Sequence, residues 1–294
     1  MSTGSNKLLR VELLPADQVI RRIEAALSDV SVESRDAALA FDGDGTLWSG
    51  DVGEDFFHAT VALGRFLPPA VEAMRAVGRA AGLAGMDVDE VGAGRGFSHD
   101  AGVAIARRVF DGYLERKVPE EVICEVIAYI CAGWTEDEVK RLAGEVVERT
   151  GVAGRLHRQV GEVLAWSREA RLEAFLVSAS PRPIVEAASA SCGFDRDHIL
   201  AATARFADGV MLPEVIRPIP YGPGKAVLLA KRLGGRTLLA AFGDNVFDVP
   251  MLQAARVAVV VEPKERLLDC LAALPHAGAG FRAERPPVRL LVSS

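Results

Sequence analysis

The sequence predicts an α/β fold, with a parallel sheet interrupted after its first strand by an all-helical insertion. Two observations predict it. Short apolar runs alternate with helical patterns from about residue 170 onward, and roughly a hundred residues of helix after helix separate them from one earlier run of the same kind. The 294 residues suffice to bury a full core as one large domain or two modest ones.

The elements follow in chain order. Residues 1–14 read as loosely ordered. Ile20, Ile23 and Leu27 recur at helical spacing, so 16–28 is expected as an amphipathic helix within an N-terminal extension, 1–35. Ala37-Ala38-Leu39-Ala40-Phe41 is a short apolar run ending in Asp42-Gly43-Asp44-Gly45, as fits a buried parallel strand that delivers carboxylates to a loop. The segment 53–150 is the expected helical insertion. In it Val122, Ile123, Val126, Ile127 and Ile130 make one apolar face between Val118 and Ala132, with Pro119 suited to the first helical position. Thr135 and Glu138 have capping-box spacing, and Asp100–Glu115 reads as a further helix. The sheet-bearing core would be 36–52 and 151–294. Its later strands are expected at Phe175–Ser178, Ile199–Ala201, Leu238–Phe242 and Val257–Val261, separated by helices at Ile184–Ser191, Lys225–Leu233 and Val249–Ala255.

Composition excludes several classes. Half the residues are hydrophobic and a quarter charged, which rules out a disordered chain or a disulfide scaffold. The net charge of −6 does not suit general binding to nucleic acid or anionic membrane. Cys124, Cys131, Cys192 and Cys270 are widely spaced without a CxxC pair, so buried reduced thiols are expected in place of a structural zinc site. The sequence offers no secretory signal and no apolar run of membrane-spanning length, making the cytoplasm the default location.

Ligands of open parallel sheets bind at the carboxyl ends of the strands. There the sequence collects Asp42, Asp44, Ser178, Lys225, Asp244, Asn245 and Asp248. Each alone has a bland reading as a turn, cap or surface residue. Together, four carboxylates would repel one another without a cation, and oxygen ligands point to Mg2+.

The set Asp42-x-Asp44-Gly45-Thr46, Ser178, Lys225 and Gly243-Asp244-x-x-x-Asp248 resembles the four motifs of the haloacid dehalogenase superfamily. The resemblance implies a Rossmann-like core with a cap domain, and Asp42 as a nucleophile forming an aspartyl-phosphate. Asp44 would be the acid, then the base, and Ser178 and Lys225 would bind phosphate. Asp42, Asp244 and the backbone carbonyl of Asp44 would hold Mg2+, with Asp248 and Asn245 in support. Asp44 also favours a phosphatase or phosphotransferase over a dehalogenase. The insertion resembles the cap of the phosphoserine phosphatase-like branch, and Trp48 with Glu54 resembles the matching stretch of phosphorylcholine phosphatases. Asp51 and Glu54 therefore suit a cationic substrate tail, with the alternative that they cap the first inserted helix. Arg107 or Arg108 would meet a carboxylate, or else form a solvated face. Trp48, Phe56 and Phe57 are read as packing, and Gly92-x-Gly94-x-Gly96-Phe97 as a connection and not a nucleotide site.

The expected function is Mg2+-dependent hydrolysis of a small phosphomonoester, phosphoserine or an amino-alcohol phosphate, by a monomer or homodimer. A phosphotransferase or mutase on the same site, and a non-catalytic phospho-ligand sensor, are the rival readings.

Overall fold

A computed structural model describes residues 12–30, 33–86, 99–270, 274 and 279–281. The chain runs β1 (Glu12–Leu13), α1 (Ala16–Val30), β2 (Ala37–Asp42), α2 (Val52–Leu63), α3 (Pro68–Ala80), α4 (His99–Leu114), α5 (Glu120–Ala128) and α6 (Glu136–Thr150). It continues with α7 (Arg158–Glu169), β3 (Glu173–Pro181), α8 (Arg182–Ala188), β4 (Ile199–Ala202), β5 (Ala204–Ala207), β6 (Val210–Val215) and α9 (Pro223–Leu233). The last elements are β7 (Thr237–Gly243), α10 (Val249–Ala254), β8 (Val257–Val261), α11 (Glu265–Leu268) and β9 (Ala279–Phe281).

Seven strands form one sheet in the order β1-β9-β8-β7-β2-β3-β4, and each described pairing in it is parallel. The order places β2 centrally, between β7 and β3. Its six residues are all buried, because helices cover both sheet faces. The pleat sorts the side chains by face. Leu39, Phe41, Val257, Val259 and Val261 face one core with α1, α7, α8 and the inserted helices. Ala38, Ala40, Ala258 and Val260 face the other, with Leu229, Leu233, Met251 and Leu252 from α9 and α10. The fold is therefore the Rossmann-like α/β arrangement that the sequence predicts.

Helices α2 to α6 lie between β2 and β3. Thr135 accepts from the Glu138 amide while the Glu138 carboxylate accepts from the Thr135 amide, so the expected capping box opens α6. Pro119 sits one residue before α5, at its N-cap. That helix ends at Ala128, short of the expected Ala132, because the chain turns through Gly133 (φ 96°) to meet β6. The Gly133 amide donates to the Met211 carbonyl there, and the Met211 amide donates back to Trp134. The β5–β6 hairpin responsible for this contact was not anticipated from the sequence. Nor was the β1–β9 pair at the sheet edge.

Helix α1 packs on the sheet side that also carries α7, burying Val19 and Ile23 completely. Two segments, 47–52 and 151–157, connect the insertion to the rest and run side by side. Ser49 N donates to Arg155 O, and His157 N to Leu47 O. The Gly92–Phe97 stretch lies outside the described residues, as do residues 1–11 of the loosely ordered start. All four cysteines are free: Cys131 and Cys192 are buried, whereas Cys124 and Cys270 are half-buried. No helix among the described residues is long and apolar enough to cross a membrane.

Candidate active site

The carboxyl ends of β2, β3 and β7 open into a cavity of about 720 Å³. Its floor carries the charges. Lys225 Nζ, brought by the first turn of α9, donates to Asp42 Oδ1 and to Asp248 Oδ1, each at 2.5 Å. Lys225, Asp42 and Asp248 are all buried. Burial opposes the Lys225 charge, but the two carboxylates outweigh it and raise the ammonium pKa. Burial and then Asp248 push the Asp42 carboxyl well above its ordinary range, against the pull of Lys225. Asp244 rises to about 6 for the same reasons, burial first and Asp248 second.

Asp248 is saturated. Its Oδ2 accepts from the Asp244 and Asn245 amides at 3.0 and 2.9 Å, while Oδ1 holds Lys225. The loop after β7 is thus wound around this carboxylate, and Gly243 is required beneath it: a Cβ there would lie 2.6 Å from the Asp248 Cβ. Asp42 Oδ2, by contrast, accepts no hydrogen bond from a described residue.

Asp42, Asp244 and Asp248 present carboxylate oxygens within 4.8 Å of one another. Three buried carboxylates against two lysines, Lys225 and the more exposed Lys264, leave a net negative oxygen set of the kind a hard divalent cation takes. The two sides of the set are pressed together at Gly45 (φ 80°), where a Cβ would stand 2.3 Å from Asp244 Oδ2. That contact puts the Asp44–Gly45 backbone beside Asp244. This donor set fits a hard divalent cation, for which Asp42 and Asp244 would be ligands while Asp248 is already engaged by Lys225 and two amides. Lys264, after β8, donates to Asp244 Oδ2 at 2.9 Å and was not anticipated. Its place at the carboxyl end of a strand was the available signal.

Asp44 accepts four hydrogen bonds. Oδ1 receives Trp48 Nε1 at 2.8 Å and Val52 N at 2.7 Å. Oδ2 receives Ser180 Oγ at 2.7 Å and Ser178 Oγ at 3.2 Å. Ser178 is completely buried, also accepts from the Ser180 amide, and does not line the cavity. The hydroxyl that reaches the cavity from β3 is Ser180. Two residues apart on β3, where the pairing shifts register, the two serines bond the same carboxylate oxygen.

Asp51 is the N-cap of α2 and accepts from the Glu54 amide at 2.8 Å. The capping reading of Asp51 holds, and the residue also lines the cavity with Glu54. The surrounding protein and Asp44 raise its pKa, although its side chain still reaches the water of the cavity. Arg107 is exposed on α4 and does not line the cavity, and Arg108 pairs with Glu115 at 3.2 Å. The cavity wall from α4 consists of Phe110 and Tyr113, one and two turns further along. Trp48, Phe56 and Phe57 are fully buried packing residues.

Comparison with known proteins accords with this geometry. The family described as haloacid dehalogenase-like hydrolase matches residues 39–253. The chain belongs to that family. Among curated proteins no sequence match is found. A solved protein of Anaerococcus prevotii, described as conserved and functionally unknown, aligns with TM-score 0.64 at 15% identity over 90% of each chain. A Bordetella pertussis protein of unknown function gives 0.59 at 20% identity, over 83% of this chain and 97% of its own. A haloacid dehalogenase family hydrolase of Salmonella enterica serovar Typhi gives 0.52 at 15%, over 90% of this chain and 76% of its own. At these identities the likeness is one of fold.

Proposed function

We propose that the protein is a Mg2+-dependent phosphatase that hydrolyses a small phosphomonoester through an aspartyl-phosphate on Asp42. The observation that carries this reading is the Asp42–Lys225–Asp248 ion triad on the cavity floor, with Asp244 beside it. It engages one Asp42 oxygen, while the other accepts no hydrogen bond from a described residue.

In the first step an Asp42 oxygen attacks phosphorus and the bond to the alcohol oxygen breaks. Asp44 gives its proton to that oxygen, and the alcohol leaves. In the second step Asp44 takes a proton from water, the water oxygen attacks phosphorus, and the Asp42–phosphorus bond breaks. Asp44 can carry a proton without losing its surroundings, because the Ser178 or Ser180 hydroxyl can turn to accept where it now donates. Lys225 fixes the nucleophile and offsets phosphate charge, and Ser180 offers a hydroxyl to a phosphoryl oxygen. The Ser178 role implied by the motif is then indirect, through Asp44. Bound Mg2+ supplies neutralisation of the charge that gathers on the phosphoryl oxygens.

The test is phosphate release from a panel of phosphomonoesters, with Mg2+ and with chelator. Asp42→Asn should lower kcat roughly a thousandfold or more with the circular dichroism spectrum unchanged. Acid-quenched wild type should yield a phosphoaspartyl peptide at Asp42 by mass spectrometry. Wild-type turnover in the Asp42→Asn variant would remove Asp42 as nucleophile. Transfer to an added alcohol in preference to water would replace hydrolysis by phosphotransfer.

A further inference from the structure

Two lysines reach the carboxylate set, and they are held in different ways. Lys225 lies between Asp42 and Asp248 with its side chain 5% exposed, and both partners are buried with it. Its ammonium cannot leave without breaking two buried ion pairs. Lys264 pairs with Asp244 Oδ2 at 2.9 Å, and its side chain is 60% exposed while that of Asp244 is 4% exposed. An ammonium so placed can quit its partner and be rehydrated at once, as exposed lysines ordinarily are.

The backbone around Lys264 would not have to follow. Its amide donates to the Asp244 carbonyl at 2.8 Å, and its own carbonyl accepts from the Leu267 and Leu268 amides at 2.9 and 3.3 Å, where α11 begins. The main chain of Lys264 is thus tied to the residue whose side chain it neutralises. Motion is left to the flexible four-carbon stem.

The oxygen that Lys264 holds is the one turned toward the rest of the set. A Cβ on Gly45 would lie 2.3 Å from Asp244 Oδ2 and 3.3 Å from Oδ1, so Oδ2 faces the loop after β2 that carries Asp44 and Gly45. Asp42, Asp244 and Asp248 bring carboxylate oxygens within 4.8 Å of one another at this end of the sheet. A cation entering that set and the Lys264 ammonium claim the same Asp244 oxygen. The two positive charges repel, and the compact divalent ion displaces a monovalent ammonium that water can receive.

We propose that Lys264 is a displaceable counter-cation: it orients and neutralises Asp244, yields Oδ2 to the divalent ion, and thereby sets the Mg2+ concentration at which the site fills. Lys264 is then a positioning residue, acting on the metal through Asp244. The inference rests on the Mg2+ of the phosphatase reading and is tested without turnover.

Titration calorimetry of Mg2+ into the full chain should give about tenfold tighter binding for Lys264→Met than for the wild type, the loss of one charge-assisted competitor. Lys264→Arg keeps the charge on the stem and should stay near the wild-type Kd. Arg266→Met measures charge acting through space. Arg266 lines the same cavity, is exposed and forms no ion pair with Asp244, so its loss should tighten binding about twofold at most. A second readout needs no variant. Brief acetylation of the wild type, followed by mass spectrometry, should label Lys264 about threefold faster with saturating Mg2+ than without, against the exposed Lys231 as reference. Equal tightening in Lys264→Met and Arg266→Met would overturn the inference. So would a Lys264 labelling rate that Mg2+ leaves unchanged or lowers, since the ion would then take the other Asp244 oxygen with the pair intact. Either result would leave the phosphatase reading standing. Absence of Mg2+ binding in the wild type and in Lys264→Met alike would overturn the inference together with the Mg2+ dependence of the proposed function.

Discussion

At the scale of single residues, the site is governed by how completely each polar atom is satisfied. Asp248 spends both oxygens on Lys225 and two amides, whereas one Asp42 oxygen accepts no hydrogen bond from a described residue. Identical side chains thus acquire different chemistry from their surroundings. His157 is the opposite case. It is buried, and neither ring nitrogen has a hydrogen-bond partner among the described residues. Burial lowers its pKa below the ordinary 6.5, with Glu262 opposing. The sign follows from linkage: as pH falls, the unfolded chain binds a proton at His157 before the folded one does, so stability is lost below the ordinary value. His157→Phe removes the titration while keeping the ring. Denaturant midpoints at about pH 7.5 and about pH 5.5 should fall less in the variant than in the wild type, given a reference histidine pKa of about 6.5. Equal falls would mean that the folded protein accommodates the charged His157 imidazolium through an accepting group, such as the Glu262 carboxylate. The charged motif residues were legible in the sequence because each ends or follows a strongly apolar run. Ser180 was not, because a strand serine carries no mark of the cavity it faces.

At the scale of elements, the apolar runs announced β2, β3, β4, β7 and β8, since a strand buried on both faces must be continuously apolar. The sheet edge gave no such signal. β1 and β9 contribute two and three residues, and their partnership spans nearly the whole chain. The β5–β6 hairpin did leave a mark: Asp208-Gly209, both at positive φ, is the two-residue turn that matches strand twist. It was missed because the flanking residues are too polar on one side to stand out as strands. Elements also explain how the insertion is fastened. Arg155 donates to Ser49 O at 2.7 Å and pairs with Asp55 at 2.5 Å, tying the return connection to the loop that leads into α2. Both partners of the pair are largely buried. Arg155→Ala should therefore cost about 1–2 kcal/mol of stability, since charge-assisted bonds exceed neutral ones. Arg155→Lys should recover part of it, because a lysine can keep the ion pair but not the fork. A loss under about 0.5 kcal/mol by chemical denaturation, the ordinary scatter of surface changes, would show that the backbone bonds between the two connections hold the junction without Arg155.

At the scale of the whole molecule, the fold accepts an electrostatic cost in order to assemble the site. Five described elements, β2, β3, α9, β7 and the turn after β8, deliver charged or hydroxyl groups to one end of the sheet. Both Asp42 and Asp244 are raised there by burial and by Asp248. A ligand that binds only the folded state stabilises it by mass action, and Mg2+ at about a hundred times its Kd would add roughly 2.7 kcal/mol. For a chain of this size that corresponds to a rise in Tm of several degrees, at about 2–4 °C for each kcal/mol. Mg2+ should therefore raise Tm, and chelator should reverse the rise. Potassium chloride at matched ionic strength should not reproduce it, because screening acts weakly on buried groups. Asp244→Asn removes one charge from the three-carboxylate set without changing its shape, so the rise should shrink to near zero in that variant. It should shrink less in Glu265→Gln, whose carboxylate lines the cavity but lies outside the set. An equal response in both variants would mean that the cation answers the overall negative charge of the cavity. A response lost only with Asp244 would locate it at the ends of β2 and β7, where the fold has gathered carboxylates that repel one another without it.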